Sequence, residues 1–331
     1  MDEVDSIELM IKKILGDISM ATSADQLKAI IEMYGSNLNI QGFVVSAVAD
    51  RVCLRGKFED SNEIVGWDDD FFNLGIVCIQ LDYLREGIEI LQKGCTIHKG
   101  NCDLHSAIVF NANKIGRNDI SKTYLDALNA NVPVQKWTEM TFDYILKYLS
   151  DVGDDGEFDA VVEKMKLSYP ASESPYLLRS RKENNIEQRI AILEEGIGKV
   201  VVCPSLCFAM VNDLMSLGDY VGVIKYSTRG LAANAEMQPS VSFASLVLYR
   251  ALAMDAILNM NLVSRKDVYE KDIDNVINEY ELARDHSDFS GRKAAAIEQR
   301  IGLLKSMKNS KGSYFNILND GRDTIVMSKQ D

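Results

Sequence analysis

The sequence predicts an all-α protein built of antiparallel helical hairpins. Three observations carry this. Leu, Ile, Ala, Glu and Lys are abundant and the 331 residues include only five prolines, a composition that favours helix. Apolar residues recur at offsets of 0, 4, 7 and 11, which stacks them on one helical face, as in Leu84, Ile88, Leu91 and Cys95. The stripe returns with starts at 84, 120, 158, 186 and 220, near a period of about 34 residues, each time after a turn signal and another apolar segment.

The reference hairpin is Asp69 to Asn101. Phe71, Leu74, Gly75 and Cys78 form the apolar face of its first helix, and Asp82 is placed to cap the second. Gly75, Gly87 and Gly94 keep small surfaces where two helices meet. The later second-helix stripes are Ile120–Tyr124–Ala127, Phe158–Val162–Met165–Tyr169, Ile186–Ile190–Leu193–Ile197 and Tyr220–Ile224–Ser227–Leu231. The first helices expected before them span 71–81, 104–115, 137–149, 175–183 and 205–217.

Upstream, Ile7, Ile11, Ile14 and Ile18 form one stripe. Ser23 with Gln26 reads as a capping box opening a helix through Leu27, Ile31 and Tyr34, stopped by Gly35 and Asn37. A third helix is expected over Phe43–Leu54, then a connecting loop over 55–68. Downstream, helices are expected at 240–262, 267–285 and 292–305. In the tail, Asn319-Asp320-Gly321 between Tyr314–Leu318 and Thr324–Met327 signals a β-hairpin, or else a flexible tail. The expected organisation is an N-terminal helical segment over 1–68, a repeat array over 69–305 and a tail over 306–331.

Residues 69 to 235 resemble tetratricopeptide repeats. Leu74-Gly75 stands where that family has its Leu-Gly pair, Gly87 and Gly94 at its small packing positions, and Leu217-Gly218-Asp219-Tyr220 is similar to its inter-helix turn. Most of the family's Trp and Tyr positions in the first helix are absent. The resemblance implies a TPR-like α-solenoid whose concave face is lined by the first helix of each hairpin. It places Phe72, Ile76, Ile79 and Gln80, then Asn113, then Phe208, Asn212 and Met215 on that face, where apolar side chains and amides suit a peptide or a partner helix. The same residues could pack repeat against repeat. The family's basic carboxylate clamp is not visible.

One cluster suggests metal. Cys95-x2-His98-x3-Cys102-x2-His105 holds two of three histidines and two of six cysteines, and zinc takes four such ligands tetrahedrally. The alternative is packing, since Cys95 completes its helix's stripe. Cys203-x3-Cys207 straddles Pro204, and burial explains it better than metal. Gly196-x-Gly198 precedes an apolar run, the reverse of a dinucleotide fingerprint. The runs Asp68–Asp70 and Asp151–Glu157 lack calcium-loop spacing. No Ser-His-Asp arrangement can be assembled around His286.

A formal charge of −13 argues against nucleic acid or an anionic membrane as partner, and Arg179, Arg181 and Lys182 are a local basic cluster. Six cysteines are too few for a disulfide scaffold, and the acidic start MDEVDSIELM does not read as a signal peptide, so a cytoplasmic setting is expected. The expected function is a non-catalytic scaffold binding a protein or peptide, without a cofactor. The alternatives are a peptide-sensing regulator, or a metal-dependent enzyme with zinc at residues 95–105.

Overall fold

The computed structural model describes residues 3–55, 58, 70–234, 241–264, 266, 268–285 and 292–309. Among them are sixteen α-helices and no strand. The chain divides into two compact units, Met1–Ser168 and Tyr169–Asp331.

The first unit holds α1 (Glu3–Met20), α2 (Ala24–Tyr34), α3 (Leu38–Val52), α4 (Asp70–Gln80), α5 (Leu84–Ile97), α6 (Cys102–Lys114), α7 (Asn118–Asn131), α8 (Glu139–Val152) and α9 (Asp155–Ser168). Helices α4/α5, α6/α7 and α8/α9 pair as hairpins. First helices also meet one another, α2 with α4, α4 with α6 and α6 with α8, and α5 packs on α6. The second unit holds α10 (Ser174–Lys182), α11 (Ile186–Lys199), α12 (Pro204–Leu217), α13 (Tyr220–Asn234), α14 (Val241–Val263), α15 (Glu270–Asp285) and α16 (Arg292–Asn309). Its pattern is the same: α10/α11 and α12/α13 pair, α11 and α13 pack on the next first helix, and α10, α12 and α14 form a row.

Apolar packing joins helices on either side of the expected boundary at 68/69. Leu27, Ile31, Val44 and Val48 join Phe71, Leu74 and Leu91 in one buried core, because α2 and α3 cover the faces of α4 and α5. The division falls at 168/169 instead, inside the array expected over 69–305. Helix α3 starts at Leu38 rather than Phe43, since the Asn37 side chain accepts from the Asn39 N–H at 3.1 Å and opens a helix instead of ending one. Ser23 caps α2 as expected, but Gln26 Oε1 reaches back to the N–H of Thr22 at 2.7 Å, one residue before the cap. The expected tail hairpin lies outside the described residues, as does most of the loop at 55–68.

Four of the turns within hairpins place a residue in the left-handed region, while the α10/α11 turn does not. Gly116, Gly153 and Gly218 lie in the left-handed region, with φ of 72°, 75° and 73°. Asp82 does too, with φ 71°. Its N–H donates to Ile79 O at 3.0 Å and that of Tyr83 to Cys78 O at 2.9 Å, the paired closure of a helix C-terminus. Asp82 therefore ends α4 and does not cap α5, whose N-cap Tyr83 makes no side-chain capping bond.

Glycines set the helix crossings. A Cβ on Gly87 would stand 2.6 Å from Ile79 Cγ1 and 2.7 Å from the carbonyl oxygen of Gly75. Three second helices share a further contact. A Cβ on Gly94 would meet Phe71 at 2.8 Å and Leu104 at 3.1 Å; on Gly196, Tyr176 at 2.7 Å and Leu206 at 2.9 Å; on Gly230, Leu246 at 2.8 Å and Cys207 at 2.9 Å. In each case the helix presses at one point on its own first helix and on the next.

Helix α14 includes Phe243–Val263, the one described stretch long and apolar enough to cross a membrane. Half of it is buried against α12, α13 and α15. It also carries Asp255, whose carboxylate takes a two-pronged bond from Arg300 (2.7 and 2.6 Å) and accepts from Tyr280 at 2.9 Å. This buried network ties α14 to α15 and α16.

Two stability measurements check these contacts. Gly87→Ala should lower stability by about 1–3 kcal/mol, because the Gly75 carbonyl cannot swing away as a side-chain tip can. Glu89→Ala, which removes a partly exposed ion pair with Arg55, should cost no more than about 1 kcal/mol in the same urea titration. Equal midpoints for the two variants would refute the close approach. Asp82→Gly should raise the melting temperature, by about 0.5–1 kcal/mol of stability, since glycine enters the left-handed region without steric cost; a lower melting temperature would contradict the Asp82 geometry.

Candidate functional site

The residues expected to line a binding face lie on first helices of both units. On α4, Phe72 and Ile76 are half-buried and Gln80 is exposed; at spacings of four they form one stripe beside the buried Phe71, Leu74 and Cys78. Both hydrophobes pack against the core of their unit. Asn113 on α6 is half-buried, and its carbonyl accepts the N–H of Gly116 at the turn.

In the second unit the face is better built. Phe208, Asn212 and Met215 are half-buried on α12. Asn212 Nδ2 donates to Phe208 O at 3.2 Å, and Asn212 Oδ1 accepts from the hydroxyl of Tyr249 on α14. The Phe208 and Tyr249 rings stand 6.0 Å apart at 58°, a tilted aromatic pair. Burial raises the Tyr249 pKa, so its hydroxyl is a donor at neutral pH. The result is a fixed amide and hydroxyl set among aromatic surface.

Tyr249 was not singled out by sequence because its helix lies beyond the recurring stripes. A related pair in the first unit also escaped: Phe110 on α6 and Tyr144 on α8, with ring centroids 5.6 Å apart and the Lys114 ammonium 4.2 Å over the Phe110 ring. These two aromatics are 34 residues apart, so the repeat period itself was the available signal.

The four candidate zinc ligands do not come together. Cys95, at the end of α5, is buried in the core, and burial pushes its thiol up to about 12. Cys102 opens α6 with its sulfur 3.7 Å from the carbonyl of Lys136. His98, just after α5, places its ring 6.2 Å from Phe71 on α4. His105 turns instead toward Tyr124 on α7, with ring centroids 5.7 Å apart. The two imidazoles thus pack on different helices. Among the described residues no group of three or more His, Cys, Asp or Glu is placed to hold a metal.

His105 is 4% exposed. Its Nε2 lies 3.0 Å from the carbonyl of Lys99, to which it donates, while Nδ1 is buried without a partner. Burial lowers its pKa, since a proton on Nδ1 would bring an unpaired charge into the interior. Cys203 and Cys207 are both fully buried, with sulfurs 3.9 Å apart.

A separate cavity of about 640 Å³ lies between α5 and α7, lined by Ile88, Ile115 and Ile120 with Arg85, Glu89, Gln92 and Arg117. It uses none of the residues on the first-helix face. Charge is also unevenly divided: residues 1–168 carry 28 acidic and 16 basic side chains, and residues 169–331 carry 21 and 20.

No protein-family model matches the chain, and no curated protein matches it significantly.

The His105 environment has a pH consequence. The unfolded imidazole takes up a proton near pH 6.5, whereas the folded one resists it to lower pH. Between those values the unfolded state holds more protons, so this contribution to stability is complete above about pH 6.5 and is lost as pH falls toward the folded pKa. The slope from one such group is at most about 1.4 kcal/mol per pH unit. Urea midpoints between pH 7.5 and 5.5 should fall less steeply for His105→Gln than for the native chain. Identical slopes for His105→Gln and the native chain would show that the imidazole is solvated.

Proposed function

We propose that this protein is a non-catalytic scaffold that binds a protein or peptide on the first-helix face of TPR-like hairpins. The Phe208–Asn212–Tyr249 arrangement carries the reading. A half-buried aromatic pair offers apolar contact, and the amide and hydroxyl held beside it offer hydrogen bonds to a peptide main chain. The rows α2–α4–α6–α8 and α10–α12–α14 support it, because adjacent first helices can present a continuous surface within each unit. So does the recurrence of one glycine contact at Gly94, Gly196 and Gly230, which fits a repeated hairpin. The excess of acidic residues in the first unit disfavours a polyanion as its partner.

Affinity selection of a random peptide library on the immobilised full chain tests this. Enriched peptides should bind at least tenfold more weakly to Phe208→Ala/Asn212→Ala, with unchanged helicity, and hydrogen exchange should slow on α12 and α14. Failure to enrich any sequence family, or peptides insensitive to the double variant, would overturn the assignment.

A further inference from the structure

The core of the second unit contains a pair of thiols that the binding face does not use. Cys203 precedes α12 as its N-cap, in non-helical conformation, and Cys207 is one turn later. The Cys207 N–H donates to Cys203 O at 3.0 Å, which stacks the two side chains on one face. Their sulfurs are 3.9 Å apart and both residues are fully buried.

The two cysteines differ in position: Cys203 caps the start of α12 and Cys207 lies one turn inside it. Cys203 directly follows Val201 and Val202, both exposed, while it is itself fully buried. Cys207 is wedged against α13, where a Cβ on Gly230 would stand 2.9 Å from its own Cβ. Burial raises the Cys207 pKa and keeps that thiol protonated. Of the two, Cys203 is the one adjoining exposed chain at Val202, so it is the one placed to meet an oxidant first.

We infer that Cys203 and Cys207 form an oxidation site, at which a small peroxide converts the buried thiol pair to an intramolecular disulfide within the folded second unit. Cys203, as thiolate, attacks one oxygen of hydrogen peroxide. The O–O bond breaks, hydroxide leaves and is protonated to water, and Cys203 becomes a sulfenic acid. The sulfur of Cys207 then attacks the sulfenic sulfur. The S–S bond forms, the S–O bond breaks, and the hydroxyl departs as water with the proton of Cys207. Two thiols lose two electrons and one peroxide becomes two waters. The product is neutral and replaces two thiols already in contact, so it suits an apolar interior. It would tie the cap residue of α12 to the helix turn that Phe208 immediately follows. The inference stands independently of the binding role.

Residues 200–225 contain both cysteines with no internal lysine or arginine, so trypsin releases them in one peptide. The full chain should be exposed to hydrogen peroxide, then denatured and alkylated. The expected result is that this peptide becomes two hydrogens lighter and unalkylated, and that the six free thiols fall by two. Dithiothreitol should reverse both changes. Cys78 and Cys95, also buried but without a neighbouring thiol, should remain alkylatable and serve as an internal gauge that needs no variant. Cys203→Ser and Cys207→Ser should each abolish the loss of two hydrogens. Three outcomes would overturn the inference: both thiols persisting while the half-exposed Cys53 is oxidised, Cys203 advancing to sulfinic acid beside an alkylatable Cys207, or the bond forming only in denaturant.

Discussion

The structure depends on how closely helices can approach at a few glycines. At Gly94, Gly196 and Gly230 a second helix meets its own first helix and the next first helix at the same point. Any side chain there would hold all three apart. Because packed interiors do not yield continuously, that separation would propagate to the large residues around it. Phe71, Tyr176 and Cys207 on the preceding helix, and Leu104, Leu206 and Leu246 on the following one, are buried because the glycine lets them close in. The Gly75–Gly87 contact does the same within one hairpin, backbone against backbone. The arrangement of first helices in rows, and with it the face they present, follows from these contacts.

Polar groups fix what apolar packing leaves free. Four turns end their first helix on a left-handed residue, three of them glycines and one Asp82; the paired closure is shared at Asp82, Gly116 and Gly218, while at Gly153 two N–H groups meet the Leu149 carbonyl. Between hairpins, Glu173 accepts the Leu206 N–H at 2.8 Å, so a carboxylate before α10 meets the positive end of α12. At the end of the second unit, Asp255 is bonded to Arg300, Tyr280 and Asn259, with Arg300 also reaching Asn259. A buried ion pair of this kind adds little net stability, but removing one member strands the other. Its effect is to specify how α14, α15 and α16 meet, where an all-apolar contact would tolerate sliding.

The same physics separates the two sites that sequence proximity suggested. Cys95, His98, Cys102 and His105 are crowded along the chain, yet His98 packs toward Phe71, Cys102 toward Lys136 and His105 toward Tyr124. Phe208, Asn212 and Tyr249 are distant along the chain and meet because α12 and α14 share a row. Cys203 and Cys207 lie between these cases: four residues apart in sequence, and in contact across the N-cap and first turn of α12.

Sequence by itself determined the helices and most of their limits. The expected first helices at 71–81, 104–115 and 205–217 appear as α4, α6 and α12 within a few residues, and the second-helix stripes start in place, because a period of 3.6 with turn residues between is local information. It also located Gly87 and Gly94 as small contact positions. Tertiary structure decided the rest. Whether Asp82 opens one helix or closes another depends on a backbone angle, not on residue type. The packing of α2 and α3 on α4 and α5, and the division at 168/169, depend on which apolar faces cover one another, and amphipathic helices advertise a face without naming its partner. The pairing of Phe208 with Tyr249 and the dispersal of the Cys/His cluster have the same cause. Side-chain direction is set by packing between helices, and that contact information is spread over distant stretches of the chain.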